Sequence, residues 1–305
     1  MKKLLITGIA GGQGRLVANR LMKRWKVIGV DRMPWEGAPE EIEVQTVDLR
    51  KRRFDNVFRT ERPDAVVHMA FVRHFRGDPE VRHQVNVSGT QRLLENCAQY
   101  GVKQLVVLSS SYVYGAMPDN PRYIREGHPL GVSRTFPEIR DLAEVEGLVG
   151  TFMWRYPEIA TTVLRPVNTL GYYIHSAIGN YFKLDLVPTI AGFDPMMQFI
   201  DEEDVSEAIV TALEHRLHGV FNVAGPGAVP LSTALEAVGA RGVSIPESVV
   251  HFSISQLFRL GLYQFPPHAI DFIKYPCTVS GDRFVEATNF KPLYSLKEIF
   301  ERVQR

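Results

Sequence analysis

The sequence predicts an α/β protein built on a doubly wound parallel sheet, with a smaller C-terminal α/β lobe. Three observations carry this. Short, almost wholly apolar runs alternate with stretches of helical period from the N-terminus onward. A glycine-rich turn, Thr7-Gly8-Ile9-Ala10-Gly11-Gly12-Gln13-Gly14, joins the first run to the first helical stretch. The chain has 305 residues and 45% apolar content, enough to bury a large core. Strands apolar on both faces need cover on both faces, which is the condition of a parallel sheet flanked by helices.

Residues 2 to 7 read as the first strand, Leu16, Val17, Leu21 and Met22 fall at helical spacing, and residues 27 to 30 form the second strand. Further strands are expected near residues 43 to 47, 65 to 69 and 104 to 109, separated by helices, of which 89 to 100 is the clearest. The Lys51-Arg52-Arg53 cluster reads as a solvated helix start. Residues 161 to 165 make another strand, followed by irregular turns, a helix at 203 to 214 and a strand at 219 to 223. The boundary therefore falls near residue 165. Residues 1–165 form the sheet domain and 166–305 the smaller lobe, with the strand at 219–223 returning to the main sheet.

A formal charge of +1 from 35 basic and 34 acidic residues, with no long single-sign run, points away from nucleic acid and from a polybasic membrane anchor. Two cysteines, Cys97 and Cys277, fit no metal-ligand spacing and read as buried small hydrophobes in a reducing compartment. His68, His74, His83 and His175 show no ligand pairing either, so no metal is expected. The apolar run after Met1-Lys2-Lys3 ends at Thr7-Gly8, too short for a signal peptide, and a cytoplasmic protein is expected.

Between a strand and a helix, glycines at 8, 11 and 14 allow a tight turn and let backbone amides approach a pyrophosphate at the helix N-terminus. Asp31, ending the second strand, can accept hydrogen bonds from ribose hydroxyls and repel a 2′-phosphate, which favours NAD over NADP. Arg15 and Arg32 keep NADP open, since either guanidinium can pair with that phosphate.

The spacing Thr-Gly-x-x-Gly-x-x-Gly resembles the extended short-chain dehydrogenase/reductases, the NAD-dependent epimerase/dehydratase family, whose domain is a Rossmann fold. Further segments follow in that family's order: Val47-Asp48-Leu49-Arg50, Val67-His68-Met69-Ala70, Asn86-Val87-Ser88-Gly89-Thr90 and Leu108-Ser109-Ser110-Ser111-Tyr112-Val113-Tyr114-Gly115. Leu164-Arg165-Pro166-Val167-Asn168 and Asn289-Phe290-Lys291-Pro292 continue it to the C-terminal end. The resemblance implies that Gly8, Gly11, Gly12, Gln13, Gly14, Asp31, Arg32, Asp48, Leu49, Met69, Ala70, Asn86 and Leu108 bind the cofactor. Ser110 matches the catalytic serine that hydrogen-bonds the reacting oxygen. Asn168 borders the substrate site or caps the following turn. Relatives act on nucleotide sugars and often form homodimers.

Relatives also carry Tyr-x-x-x-Lys on the helix expected to open at Thr135. Counted from Arg140-Asp141, these positions here are Glu138 and Leu142. The lysine would hold the ribose and lower the tyrosine pKa, and leucine cannot do that. None of the 11 tyrosines has a lysine four residues on, and no lysine lies between Lys103 and Lys183. Thr135, Pro137 and Glu138 read as a capping box, and Leu142 as part of an apolar stripe with Ile139, Val145, Leu148 and Val149. The expected protein binds NAD(P) and is weakly active or inactive in ordinary dehydrogenation. The alternative is an active enzyme using Ser110 with Tyr112 or Glu138 as acid and base. Its small-molecule ligand is a nucleotide sugar or a lipid-like alcohol. The aromatic-rich segment 249 to 272 reads as core, with an apolar pocket or an oligomer contact as alternatives.

Overall fold

The structure is a computed structural model that describes residues 1–72, 78–132, 136, 139–260 and 266–303. Its centre is a seven-stranded parallel sheet. The strands are β1 (Lys3–Thr7), β2 (Lys26–Asp31), β3 (Glu43–Thr46), β4 (Ala65–His68), β5 (Gln104–Leu108), β6 (Ala160–Pro166) and, after three strands of the lobe, β10 (Gly219–Val223). Their spatial order is β3-β2-β1-β4-β5-β6-β10. The chain thus builds one half outward from β1 to β3, then returns to the far side of β1 with β4. That reversal opens a crevice beyond the carboxyl ends of β1 and β4, the place where open α/β sheets bind ligands. The register puts Thr7 opposite both Val30 and His68, so the glycine loop starts inside the crevice.

Side-chain alternation along β1 explains the two-sided core. Leu4 and Ile6 join one apolar cluster with Val67, Val106 and Leu108, while Leu5 joins another with Ile28, Val66 and Val107. The connecting helices cover these faces. They are α1 (Gly12–Leu21), α2 (Arg52–Glu61), α3 (Pro79–His83), α4 (Gly89–Gln99) and α5 (Arg140–Arg155). A π-helical turn, Gln84–Ser88, joins α3 to α4. Such one-turn insertions re-aim side chains, and this one carries Asn86. The basic cluster at 51 to 53 is exposed at the start of α2.

The remaining elements form the lobe and its attachment: β7 (Asn168–Leu170), α6 (Ala177–Phe182), β8 (Leu186–Ile190), β9 (Met196–Asp201), α7 (Glu202–Glu214), β11 (Ala228–Pro230), α8 (Leu231–Ala237), β12 (Arg241–Ile245), α9 (Glu247–Arg259), α10 (Asp282–Thr288) and α11 (Leu296–Glu301). β11, β9 and β7 make one small sheet, and β12 pairs with β8. A third apolar cluster, with Phe182, Phe199, Leu235, Ile270 and Phe300, holds them together. Among the described residues, no helix is long and apolar enough to cross a membrane.

One expectation changes and another falls outside the described residues. The described part of the helix on which relatives keep their acid begins at Arg140. The expected capping box, with Thr135, Pro137 and Glu138, lies outside the described residues, as does His74. Cys97 is buried as expected, whereas Cys277 is only half-buried. Burial pushes the Cys277 thiol up to about 12, so it stays protonated.

Candidate active site

The glycine loop is shaped by contacts that leave no room for side chains. Gly8 sits at φ +78°, and a Cβ there would lie 2.8 Å from the Ala70 nitrogen and the Met69 carbonyl carbon. This is where Met69 and Ala70, just past β4, meet the loop. Gly14 backs onto the loop itself: its Cβ would come within 2.2 Å of the Gly8 oxygen. Gly12 faces residue 173, whose backbone oxygen would be 2.2 Å away. Gly11 precedes α1 and provides no side-chain cap for it, so the helix opens without a capping side chain. The Gln13 side chain turns away from the loop and donates to Ser206 Oγ at 2.7 Å and the Glu202 carbonyl at 3.1 Å. Its buried Oε1 has no hydrogen-bond partner.

Asp31 braces this loop. Its Oδ2 accepts from the Ala10 amide at 3.1 Å and its Oδ1 from the Met33 amide at 3.0 Å. The carboxylate is thus held at the end of β2 with lone pairs to spare. Arg15 donates to the Ala10 carbonyl at 2.8 Å and lies over the Trp35 ring, whereas Arg32 is exposed. Asp48 is clamped by Arg50, with Nη2 to Oδ2 at 2.6 Å, and that guanidinium holds the carboxyl below its usual range. Leu49 is buried against the Gly89 end of α4.

Between sheet and lobe lies a cavity of about 500 Å³. Of the residues singled out in the sequence, Gln13, Asn86, Leu108, Ser110, Tyr112 and Asn168 line it, and so does Leu142. Glu138 lies outside the described residues. The glycines, Asp31, Arg32, Asp48, Leu49, Met69 and Ala70 stand off its wall, along the loop and strand ends just described. Ser110 precedes a 3₁₀ turn, Ser111–Tyr114, and its Oγ accepts from the Tyr112 amide at 3.2 Å. The Tyr112 hydroxyl donates to Asn168 Oδ1 at 2.6 Å, and Asn168 Nδ2 donates to the Gln198 carbonyl at 2.9 Å. Burial drives the Tyr112 phenol well above its ordinary value, with the neighbouring Cys277 adding to the shift. It therefore stays a protonated phenol whose one proton is already shared.

Leu142 is 8% exposed and packs with Ile139 in the cluster on one side of the sheet. Val145 and Val149 from the same helix belong to the cluster on the other, so the apolar stripe divides between two cores. Beside Leu142, Asp141 is buried and gathers three neighbours. Arg82 Nε lies 3.4 Å from Oδ2, His83 Nδ1 3.4 Å from Oδ1, and Asn86 Nδ2 3.4 Å from Oδ2. His83, Asp141 and Glu144 bring their ligand atoms within 4.8 Å of one another, but the guanidinium on Asp141 suits ion pairing rather than a cation. Asn86 also grips the chain after β4, accepting from the Val72 amide at 2.8 Å and donating to its carbonyl at 3.1 Å.

Behind the strand ends lie two further polar networks. Arg165 Nε donates to both Glu146 oxygens at 3.0 Å, its Nη2 pairs with the same carboxylate, and its Nη1 donates to Tyr114 Oη at 2.7 Å. Ser109 donates to Glu146, and Tyr114 to Asn222 at 2.7 Å, which gives both a structural place. The buried His68 ring bridges Thr7 Oγ1 at 2.7 Å and Thr90 Oγ1 at 2.8 Å. Burial lowers its pKa to about 3, so the ring is neutral.

Arg82, Asp141 and Glu202 escaped the sequence reading. Glu202 is buried, and its carboxylate accepts from the Tyr172 amide at 2.8 Å and the Tyr173 amide at 3.0 Å. It thereby holds the segment that covers Gly12. Asp141 adjoins the anchoring Arg140, yet nothing local marks it as buried.

A glycine loop closed to side chains, a braced carboxylate at the end of β2 and a serine on the cavity wall lie around the crevice of a Rossmann-like α/β fold. The sequence profile of the NAD dependent epimerase/dehydratase family matches residues 4–224, and the chain belongs to that family. It is 28% identical to an uncharacterized protein of Mycobacterium tuberculosis, over 98% of this chain and 82% of that one. It is 27% identical to a UDP-glucose 4-epimerase of Bacillus subtilis, over 82% and 80%. Its fold is similar to the crystal structure of Thermus thermophilus UDP-glucose 4-epimerase in complex with NAD. That match has a TM-score of 0.78 and 23% identity, over 99% of this chain and 97% of that one.

Proposed function

We propose that this protein binds NAD along the glycine loop and the 500 Å³ cavity, and that it is weakly active or inactive in ordinary dehydrogenation. The observation that carries the second part is Leu142, a buried apolar side chain on the cavity wall where relatives keep an ammonium. The residues present fit the dinucleotide. Gly8, Gly12 and Gly14 let the loop fold tightly where a Cβ would collide with the chain's own backbone, α1 opens without a side-chain cap, and Asp31 stands ready for ribose hydroxyls. Bound NAD would supply a hydride acceptor. Ser110 would orient a substrate oxygen, and the cavity would exclude water.

Among the described residues of the cavity wall, no phenol has an ammonium beside it to help take the substrate's proton. Tyr112 cannot act as a base, because burial keeps the phenol protonated and Asn168 holds its hydrogen. Arg82, the guanidinium on the described wall, is held at Asp141. General acid–base help is worth about 10²- to 10⁴-fold, so its loss leaves slow chemistry at best. A second reading draws on the shared wall of Ser110 and Tyr112: a protonated Tyr112 can serve as an acid for an enzyme with unusual chemistry.

The test is a calorimetric titration with NAD followed by a chromatographic assay for conversion of nucleotide sugars, the substrates named for the epimerase relatives, because epimerisation returns its hydride and leaves no net NADH. The expected result is binding with turnover at or near background. Turnover at an ordinary enzymatic rate that Ser110→Ala abolishes would favour the second reading.

A further inference from the structure

A smaller cavity of about 60 Å³ lies behind the larger one and meets it at Tyr112, Ala177 and Ile178. Its wall is drawn from α6, from Met197 on β9, from Ile254 on α9 and from Ile270, Phe272 and Ile273 after it. Among the described residues, no side chain on that wall carries a charge. The two hydroxyls it contains are already used, Tyr112 by Asn168 and Tyr181 by the Pro188 carbonyl at 2.7 Å. Phe272 meets Tyr112 at a tilt with ring centroids 4.4 Å apart and Phe136 likewise at 5.7 Å, which makes one side of the wall aromatic.

Small apolar cavities with no free polar group stay dry and take apolar guests. A diphosphate needs the opposite, guanidinium or ammonium groups and free amides aimed at its oxygens. This inference rests on the larger cavity being the cofactor-and-substrate site and adds the ligand's chemical class. We propose that the ligand is an apolar alcohol or ketone, whose oxygen faces Ser110 and whose ring or branched alkyl group seats behind Tyr112. The wall residues come from segments far apart in sequence, yet their apolar side chains converge beside the reactive serine. Binding a compact apolar group there removes both surfaces from water at no polar cost.

The measurement is a methyl NMR titration of the full chain labelled at isoleucine δ1 and methionine methyl groups, with cyclohexanol and UDP-glucose in separate runs. Cyclohexanol should shift Ile178, Ile254, Ile270, Ile273 and Met197 saturably, and UDP-glucose should leave them in place. Ile254→Gln, which puts an amide into the pocket, should weaken the cyclohexanol response by about tenfold or more. Unchanged Ile6 and Ile9 methyls would show that this variant is folded. Shifts of the pocket methyls by UDP-glucose, no response to cyclohexanol, or a response indifferent to Ile254→Gln would overturn the proposal. NAD is read separately at Ile139 and Ile174 on the larger cavity, so the cofactor reading and this one can fail independently.

Discussion

Gly14 tolerates no side chain, because a Cβ would stand 2.2 Å from the backbone oxygen of Gly8, an atom that cannot swing aside. Gly14→Ala should therefore displace the loop and raise the NAD dissociation constant by about tenfold or more, measured by titration. A fall in thermal stability without any change in NAD affinity would mean that the loop does not cradle the dinucleotide. Tyr112 makes a contrasting case. Its hydroxyl links β7 to the turn after β5, so Tyr112→Phe should cost about 1 kcal/mol of stability by denaturant unfolding and leave NAD affinity unchanged. The spacing of the glycines and the acid ending β2 could be read directly from neighbouring residues. Arg82 beside Asp141 could not, because their meeting depends on α3 and the π-helical turn bringing one chain segment onto another.

At the scale of elements, the Arg165–Glu146 pair joins β6 to α5 out of water. Removing one partner of a buried pair leaves an uncompensated charge and costs about 3 to 5 kcal/mol. Arg165→Met should accordingly lower the melting temperature sharply, whereas a double replacement by apolar residues should recover much of the loss. Asp201 caps α7 by accepting from the Glu203 amide at 2.8 Å, yet burial raises its pKa to about 6 despite that bond and Arg302 nearby. A raised carboxylate pKa means the folded state binds the proton more tightly than the unfolded chain. Stability from this group is then present at low pH and is lost as pH rises from about 4 through about 6. Asp201→Asn keeps the cap without the charge. Relative to wild type it should gain about 1 to 2 kcal/mol between pH 4 and pH 8 in denaturant unfolding. A constant difference across that range would refute the assignment. The unbroken apolar run of β1 and the helical spacing of residues 89 to 99 made such elements legible, because a strand covered on both faces and a helix covered on one each leave their own pattern. The start of α5 was expected further upstream; its described part opens at Arg140, and the residues of the expected cap lie outside the description.

At the scale of the molecule, the strand order β3-β2-β1-β4-β5-β6-β10 places the glycine loop, Ser110 and α5 around one crevice. The alternation of apolar runs with helices announced that sheet, and the ordered motifs announced the family. The smaller cavity was hidden from the sequence because Ile178, Ile254 and Ile270 meet only through the packing of the lobe. Gln13 reaching Ser206 across 193 residues is likewise a product of α1 lying against α7. Among the described residues, the arrangement brings no lysine to the cavity wall beside Tyr112.

The deciding measurement supplies the phenol and the ammonium together: the Glu138→Tyr, Leu142→Lys double variant beside the wild type, assayed for NADH formation with cyclohexanol and, by chromatography, for conversion of UDP-glucose. A rise of about 10²-fold or more over a near-background wild type is expected, with NAD affinity little changed. A wild type that already turns over at an enzymatic rate, and a double variant no faster or slower than it, would contradict the account.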